Sequence, residues 1–137
     1  METQKLVRQL GRTLIVWSIV SIIAGVIFFV VPVSLLQGIG LQALLWGIID
    51  ILIAVVGIFR QKEQSAAKAA RFLRINVFLD IVYMLVGVIL IVFLWVDSFI
   101  LGNGIGIIIQ GAFLFILDSY FYQKFKALGE SGTPEAV

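Results

Sequence analysis

Four long apolar runs separated by short connections organise this chain. Residues 13–31 carry no charge and end at Pro32; residues 39–59 are interrupted only by Asp50, residues 75–96 only by Asp80, and residues 104–123 only by Asp118. About 20 helical residues cross a hydrocarbon core of ~30 Å, so each run is long enough to span a membrane. The pattern predicts an all-α, four-transmembrane-helix bundle over residues 1–126. A flexible cytoplasmic tail containing Gly, Ser, Thr and Pro is expected over residues 127–137. The basic start followed by an apolar run resembles a signal peptide, but the run is too long and lacks a small-residue cleavage site, which argues for a retained helix. Residues 61–74 are rich in Ala, Gln and Lys, good helix formers, so the third helix is expected to begin before its apolar run, near Ser65.

The charges give the bundle a direction. Lys5, Arg8 and Arg12 precede the first run, Arg60, Lys62, Lys68, Arg71 and Arg74 occupy the second connection, and Lys124 and Lys126 follow the fourth run. The other two connections, residues 32–38 and 97–103, contain no lysine or arginine. By the positive-inside rule both termini are therefore expected in the cytoplasm, for a multi-pass protein of a cell inner (plasma) membrane. Lys5, Arg8 and Arg12, spaced three and four apart, suit contact with anionic headgroups as well as fixing orientation. Composition agrees with the spans: 61% of the residues are hydrophobic and 13% charged, against about 25% charged in soluble domains. With no cysteine and no histidine, the common ligands and nucleophiles of zinc, haem and thiol chemistry are missing, and no cofactor is expected.

Aligned on itself, the chain shows a weak repeat. Residues 18–30 match 80–92 without gaps through Ile19/Ile81, Val20/Val82, Gly25/Gly87, Val26/Val88, Ile27/Ile89 and Val30/Val92. Two residues later in register, Gly38, Gly40 and Gly47 match Gly102, Gly104 and Gly111. Two similar hairpins running in parallel are expected, related by a pseudo-twofold axis along the membrane normal, with any site on that axis lying between the halves.

Greasy faces alone do not associate helices in lipid, so small residues and interhelical hydrogen bonds must contribute. Each span offers such a stripe: Gly11, Ser18, Ser21 and Gly25; Gly47, Asp50, Ala54 and Gly57; Asn76, Asp80, Tyr83 and Gly87; Gly104, Gly111 and Asp118 seven apart, with Gln110 beside them. Counting the helical rise from the nearest basic residue puts Asp50 roughly 15 Å deep, Tyr83 about 13 Å, and Asp80 and Asp118 each roughly 9 Å. If the stripes converge, Asp50, Asp80, Tyr83, Asp118, Asn76, Gln110, Ser18 and Ser21 form a polar core that is the candidate ligand or ion site. Asp80 and Asp118 are within reach of snorkelling Arg12, Arg60, Arg74 or Lys124. Asp50 is too deep for easy pairing: either it is a neutral hydrogen-bond donor to Ser21, Tyr83 or a backbone carbonyl, or it binds a proton, a cation or a cationic ligand.

Catalysis is not expected. Ser18 and Ser21 lack a histidine or intramembrane lysine to activate them. The Gly102, Gly104, Gly106 run lacks the strand and the Lys-Ser/Thr of a phosphate loop. A metal site built from the carboxylates is not predicted, since the oxygen ligands alone carry no geometry.

Three segments carry a family likeness: WGIIDILIAVVG (46–57), RINVFLDIVYMLVG (74–87) and GNGIGIIIQGAFLFILDSYFY (102–122). Through Trp46, Ile53 and Ala54, then Asn76, Leu79, Asp80, Tyr83 and Gly87, then Gln110, Gly111 and Asp118, the chain resembles a family of small bacterial four-helix membrane proteins known only as a domain of unknown function. Gly47 and Asp50 depart from that pattern, which favours asparagine at both. The resemblance covers about residues 40–122 and implies a bacterial inner-membrane four-helix protein with no assigned activity. If Asp50 stands in for an asparagine, a proton-carrying role there is less necessary to the family's general function. The resulting expectation is a non-catalytic scaffold or accessory subunit with room for a lipid or other apolar ligand. Its expected partners are the bilayer and a second copy or another membrane subunit, not nucleic acid. The alternative is a proton- or cation-coupled carrier or channel that uses the intramembrane aspartates.

Overall fold

A computed structural model describes residues 2–59 and 65–131. It contains four helices, α1 (Glu2–Val30), α2 (Ser34–Phe59), α3 (Ala66–Leu94) and α4 (Ser98–Glu130), each long and apolar enough to cross a membrane. Among the described residues there is no strand. Arg60 and Lys62 of the basic second connection, and residues 132–137 of the expected tail, lie outside the described residues.

The helices outrun the apolar spans because their ends are set by caps rather than by hydropathy. α1 stops before Pro32, which has no N–H with which to continue the ladder. Ser65 caps α3 by accepting from the Lys68 N–H at 3.2 Å. Asp97 caps α4, its Oδ1 accepting from the N–H groups of Phe99 and Ile100 at 2.9 and 3.1 Å. Residues 34–38 and 98–103, expected in connections, are helical, and Gly38 and Gly102 there belong to helix contacts. At the other end α4 continues to Glu130, so residues 127–130 are helix rather than tail.

α1 packs along α2, α3 packs along α4, and the two hairpins meet chiefly through α2 and α4, with a slighter contact between α1 and α4. Glycine makes the tight crossings possible. A Cβ on Gly25 would lie 2.8 Å from the Gly40 carbonyl oxygen and 2.7 Å from the Leu44 nitrogen. One on Gly87 would lie 2.9 Å from the Gly104 carbonyl oxygen and 2.8 Å from Ile108. Gly47 faces Ser18 and Ile22, and Gly111 faces Asp80 and Met84. Between the hairpins, a Cβ on Gly38 would overlap the Phe99 carbonyl oxygen, and one on Gly102 the Leu35 carbonyl oxygen. Such close backbone approach is what small residues contribute in lipid, where van der Waals contact replaces the hydrophobic effect.

Polarity is inverted relative to a soluble domain. Val16, Phe78, Phe93 and Ile116 each expose more than 60% of their surface, whereas Ser18, Asp50 and Gln110 are 0, 2 and 3% exposed. A skin of this kind is stable only against hydrocarbon. The chain is a multi-pass membrane protein.

Candidate functional site

The interior is layered along the bundle. An apolar plug of Val7, Leu73, Phe121 and Phe125 fills the end bearing the basic residues. Above it lie the three aspartates, then a network of amides and aromatic rings, then the Gly38–Gly102 crossing.

Asp50 on α2, Asp80 on α3 and Asp118 on α4 all turn inward and are buried. The Asp80 and Asp118 carboxyl groups are close enough to interact directly. Asp50 is close enough to interact electrostatically with Asp80, Asp118 and Tyr83. Among the described residues, Oδ2 of Asp50 and Oδ2 of Asp80 are buried with no hydrogen-bond partner. Among the described residues no group of three or more acidic side chains is arranged to hold a metal ion.

Two expectations about these carboxyls are corrected. No described basic residue forms an ion pair with Asp80 or Asp118: Arg12, Arg74 and Lys124 lie exposed on the outer surface while the carboxyls turn inward. Nor does Ser21 or Tyr83 hydrogen-bond to Asp50; their bonds run to other groups. Ser21 Oγ accepts from Gln110 Nε2 at 3.3 Å. The Tyr83 hydroxyl accepts from Trp46 Nε1 and donates to Gln42 Oε1 at 3.0 Å.

Those bonds belong to two networks. In one, between α2, α3 and α4, Trp46, Tyr83 and Gln42 are joined by Gln42 Nε2 donating to Asn103 Oδ1 at 2.8 Å, and the Trp46 and Tyr83 rings meet edge to face at 4.6 Å. In the other, between α1 and α4, Trp17 Nε1 donates to Gln110 Oε1 at 2.9 Å and the Trp17 ring stacks on Phe113 at 3.8 Å. Of the expected polar core, Asp50, Asp80, Asp118 and Tyr83 come together, and Gln110 and Ser21 form the second group. Ser18 joins neither: its hydroxyl donates to the Leu14 carbonyl of its own helix at 2.6 Å. Asn76 is half-buried one turn before Asp80 and takes no part in either network.

Trp17, Gln42 and Asn103 were not singled out from sequence, and Trp46 entered only as a residue of the family likeness. The available signal was polarity at depth: an indole N–H or an amide in a span must find an interior partner.

Three cavities accompany these groups. One of about 90 Å³ lies in the apolar plug against Val7, Ala54, Leu73 and Phe125. The other two run beside Trp17 and Val20 along the seam between α1 and α4: an open surface groove of about 350 Å³ and a partly enclosed cavity of about 140 Å³. None of the three is lined by an aspartate.

Residues 13–119 match a family described as a family of unknown function (DUF6992). That stretch covers most of the chain, including all three buried aspartates, and the chain belongs to this family. No curated protein and no solved structure matches it.

Proposed function

We propose, with that family membership as the premise, that the chain is a non-catalytic scaffold or accessory subunit that accommodates a lipid or other apolar ligand. The observation that carries this reading is the character of the cavities: their walls are overwhelmingly apolar, while the amide and aromatic polar groups nearby are consumed in bonds between helices. Ligand sites for apolar molecules have this composition, with a few placed polar groups. Native mass spectrometry of the purified protein tests the reading. A retained lipid or a co-purifying subunit is expected, and a bare chain would overturn it.

A second reading, a proton- or cation-coupled carrier or channel, is favoured by the two unpartnered carboxyl oxygens, since an intramembrane ionisable group without a partner is by default a candidate site for a mobile ion. It requires flux in reconstituted vesicles that Asp50→Asn abolishes. Unchanged flux, or none, removes it.

The same proposal takes the membrane as a cell inner membrane with both termini cytoplasmic. Its support is the distribution of basic residues, and reporter fusions at the two ends test it. It also takes the hairpins as copies of one unit. Support comes from the matching glycine contacts: Gly25 meets Gly40 and Leu44 as Gly87 meets Gly104 and Ile108, and Gly38 and Gly102 face each other. Gly25→Ala and Gly87→Ala are then expected to destabilise by similar amounts, and a large inequality would count against common descent.

A further inference from the structure

We infer that the seam between α1 and α4 is a binding site for one anionic phospholipid, its phosphate at Arg12 and an acyl chain lying along the groove past Trp17. The two cavities beside Trp17 and Val20 adjoin along α1: the larger opens beside Arg12 and Thr13, and the smaller reaches Phe28. From Arg12 to Ser21 is about 14 Å along the helix, close to one leaflet of a hydrocarbon core of ~30 Å. An acyl chain anchored at Arg12 therefore ends near the Gln110–Ser21 bond. Its path is smooth, because Trp17 lies flat on Phe113 with 7° between the rings and its N–H is already donated to Gln110.

Charge chooses the headgroup. Arg12 is exposed at the groove mouth, and Lys5 and Arg8 continue the same face of α1 by helical spacing, also exposed. On α4, Lys124 lies three turns from Phe113 on that face, its ammonium 5.5 Å from the centre of the Tyr120 ring. A cluster of cations at headgroup level favours an anionic lipid over a zwitterionic one.

The two seams differ in the groups that cross them. In the register that pairs Gly25 with Gly87 and Gly47 with Gly111, Ser21 corresponds to Tyr83 and Gln110 to Trp46. Trp46 and Tyr83 bond to each other across the seam between α2 and α3, their rings edge to face. Ser21 and Gln110 make the corresponding bond between α1 and α4 with smaller side chains, and a cavity of about 140 Å³ remains.

The inference rests on the reading of the chain as a lipid-accommodating protein and names the ligand class and site. Full-length protein is reconstituted in vesicles of equal phosphatidylglycerol and phosphatidylcholine, and retained lipid is counted by native mass spectrometry. One phosphatidylglycerol per chain is expected. Arg12→Gln, an exposed change that leaves packing intact, should lower the preference for phosphatidylglycerol about fivefold, and Arg12→Lys should restore it. Gln110→Trp, which puts a ring of the size of Trp46 beside the smaller cavity, should abolish retention. Lipid retained without headgroup preference would overturn this site while leaving the broader reading standing. Protein with no lipid would overturn the site, and the absence of any subunit as well would overturn both. A lipid-free dimer would assign the groove to a second copy and likewise overturn the proposal.

Discussion

At one end of the bundle Gly38 and Gly102 bring α2 and α4 into backbone contact; about 18 Å further along α2, the carboxyls of Asp50 and Asp80 each leave an oxygen with no partner. Both regions lie between the same two hairpins. The crossing has no spare room and no unmet polarity, so its residues are dictated by packing. The carboxyl layer combines unmet polarity with burial, an arrangement that packing alone would not select. Stability and candidate chemistry have been separated along the bundle axis.

The sharpest way to break this contrast is to add volume at the crossing. Gly102→Ala places a methyl group on the Leu35 carbonyl oxygen, which belongs to backbone and cannot swing aside. A loss of about 3 kcal/mol is expected, the upper range for overpacking, measured by equilibrium unfolding in mixed detergent. The carboxyl layer should respond with the opposite sign. Asp50→Leu removes a buried unpartnered oxygen, and a gain of about 1–3 kcal/mol is expected in the same assay; a loss would reveal a stabilising partner for Asp50. Between these regions, Trp46→Phe deletes the donor to Tyr83 but keeps an aromatic ring. About 0.6 kcal/mol should be lost, the average for an interhelical hydrogen bond in a membrane. The smallest effect belongs to Gly57, where an added Cβ would meet nothing within 4 Å. Gly57→Ala should be neutral or stabilising by up to ~1 kcal/mol. If Gly57→Ala proved as damaging as Gly102→Ala, the contrast would collapse.

Much of this organisation was legible in the chain. Four apolar runs gave four helices, and the interior placement of Asp50, Asp80 and Asp118 followed from the cost of exposing an acid to lipid. Helix ends were less legible: hydropathy marks where a helix is apolar, while Asp97 and Ser65 set where it begins. The glycines at 38 and 102 read as connection residues because their use depends on a neighbouring backbone that no local pattern announces. Partner choice was the least legible. Ser18 and Ser21 sit one turn apart on one helix face, yet one bonds back to its own helix and the other bonds across to Gln110. Which partner wins depends on what the facing helix offers at that depth. The same dependence separated Asp80 and Asp118 from Arg12, Arg74 and Lys124: cations on the outer surface cannot follow carboxyls turned inward.

Whether the carboxyl layer is closed to water is best measured by cysteine accessibility, for which a chain without native cysteine is well suited. Asp50→Cys and Arg12→Cys are reconstituted separately and treated with a membrane-impermeant maleimide applied to both faces. Labelling is expected for Arg12→Cys at once, and for Asp50→Cys only after unfolding in dodecyl sulfate. If Asp50→Cys is labelled in the folded protein as readily as Arg12→Cys, the carboxyls line an aqueous path, and the scaffold reading is contradicted in favour of the carrier or channel.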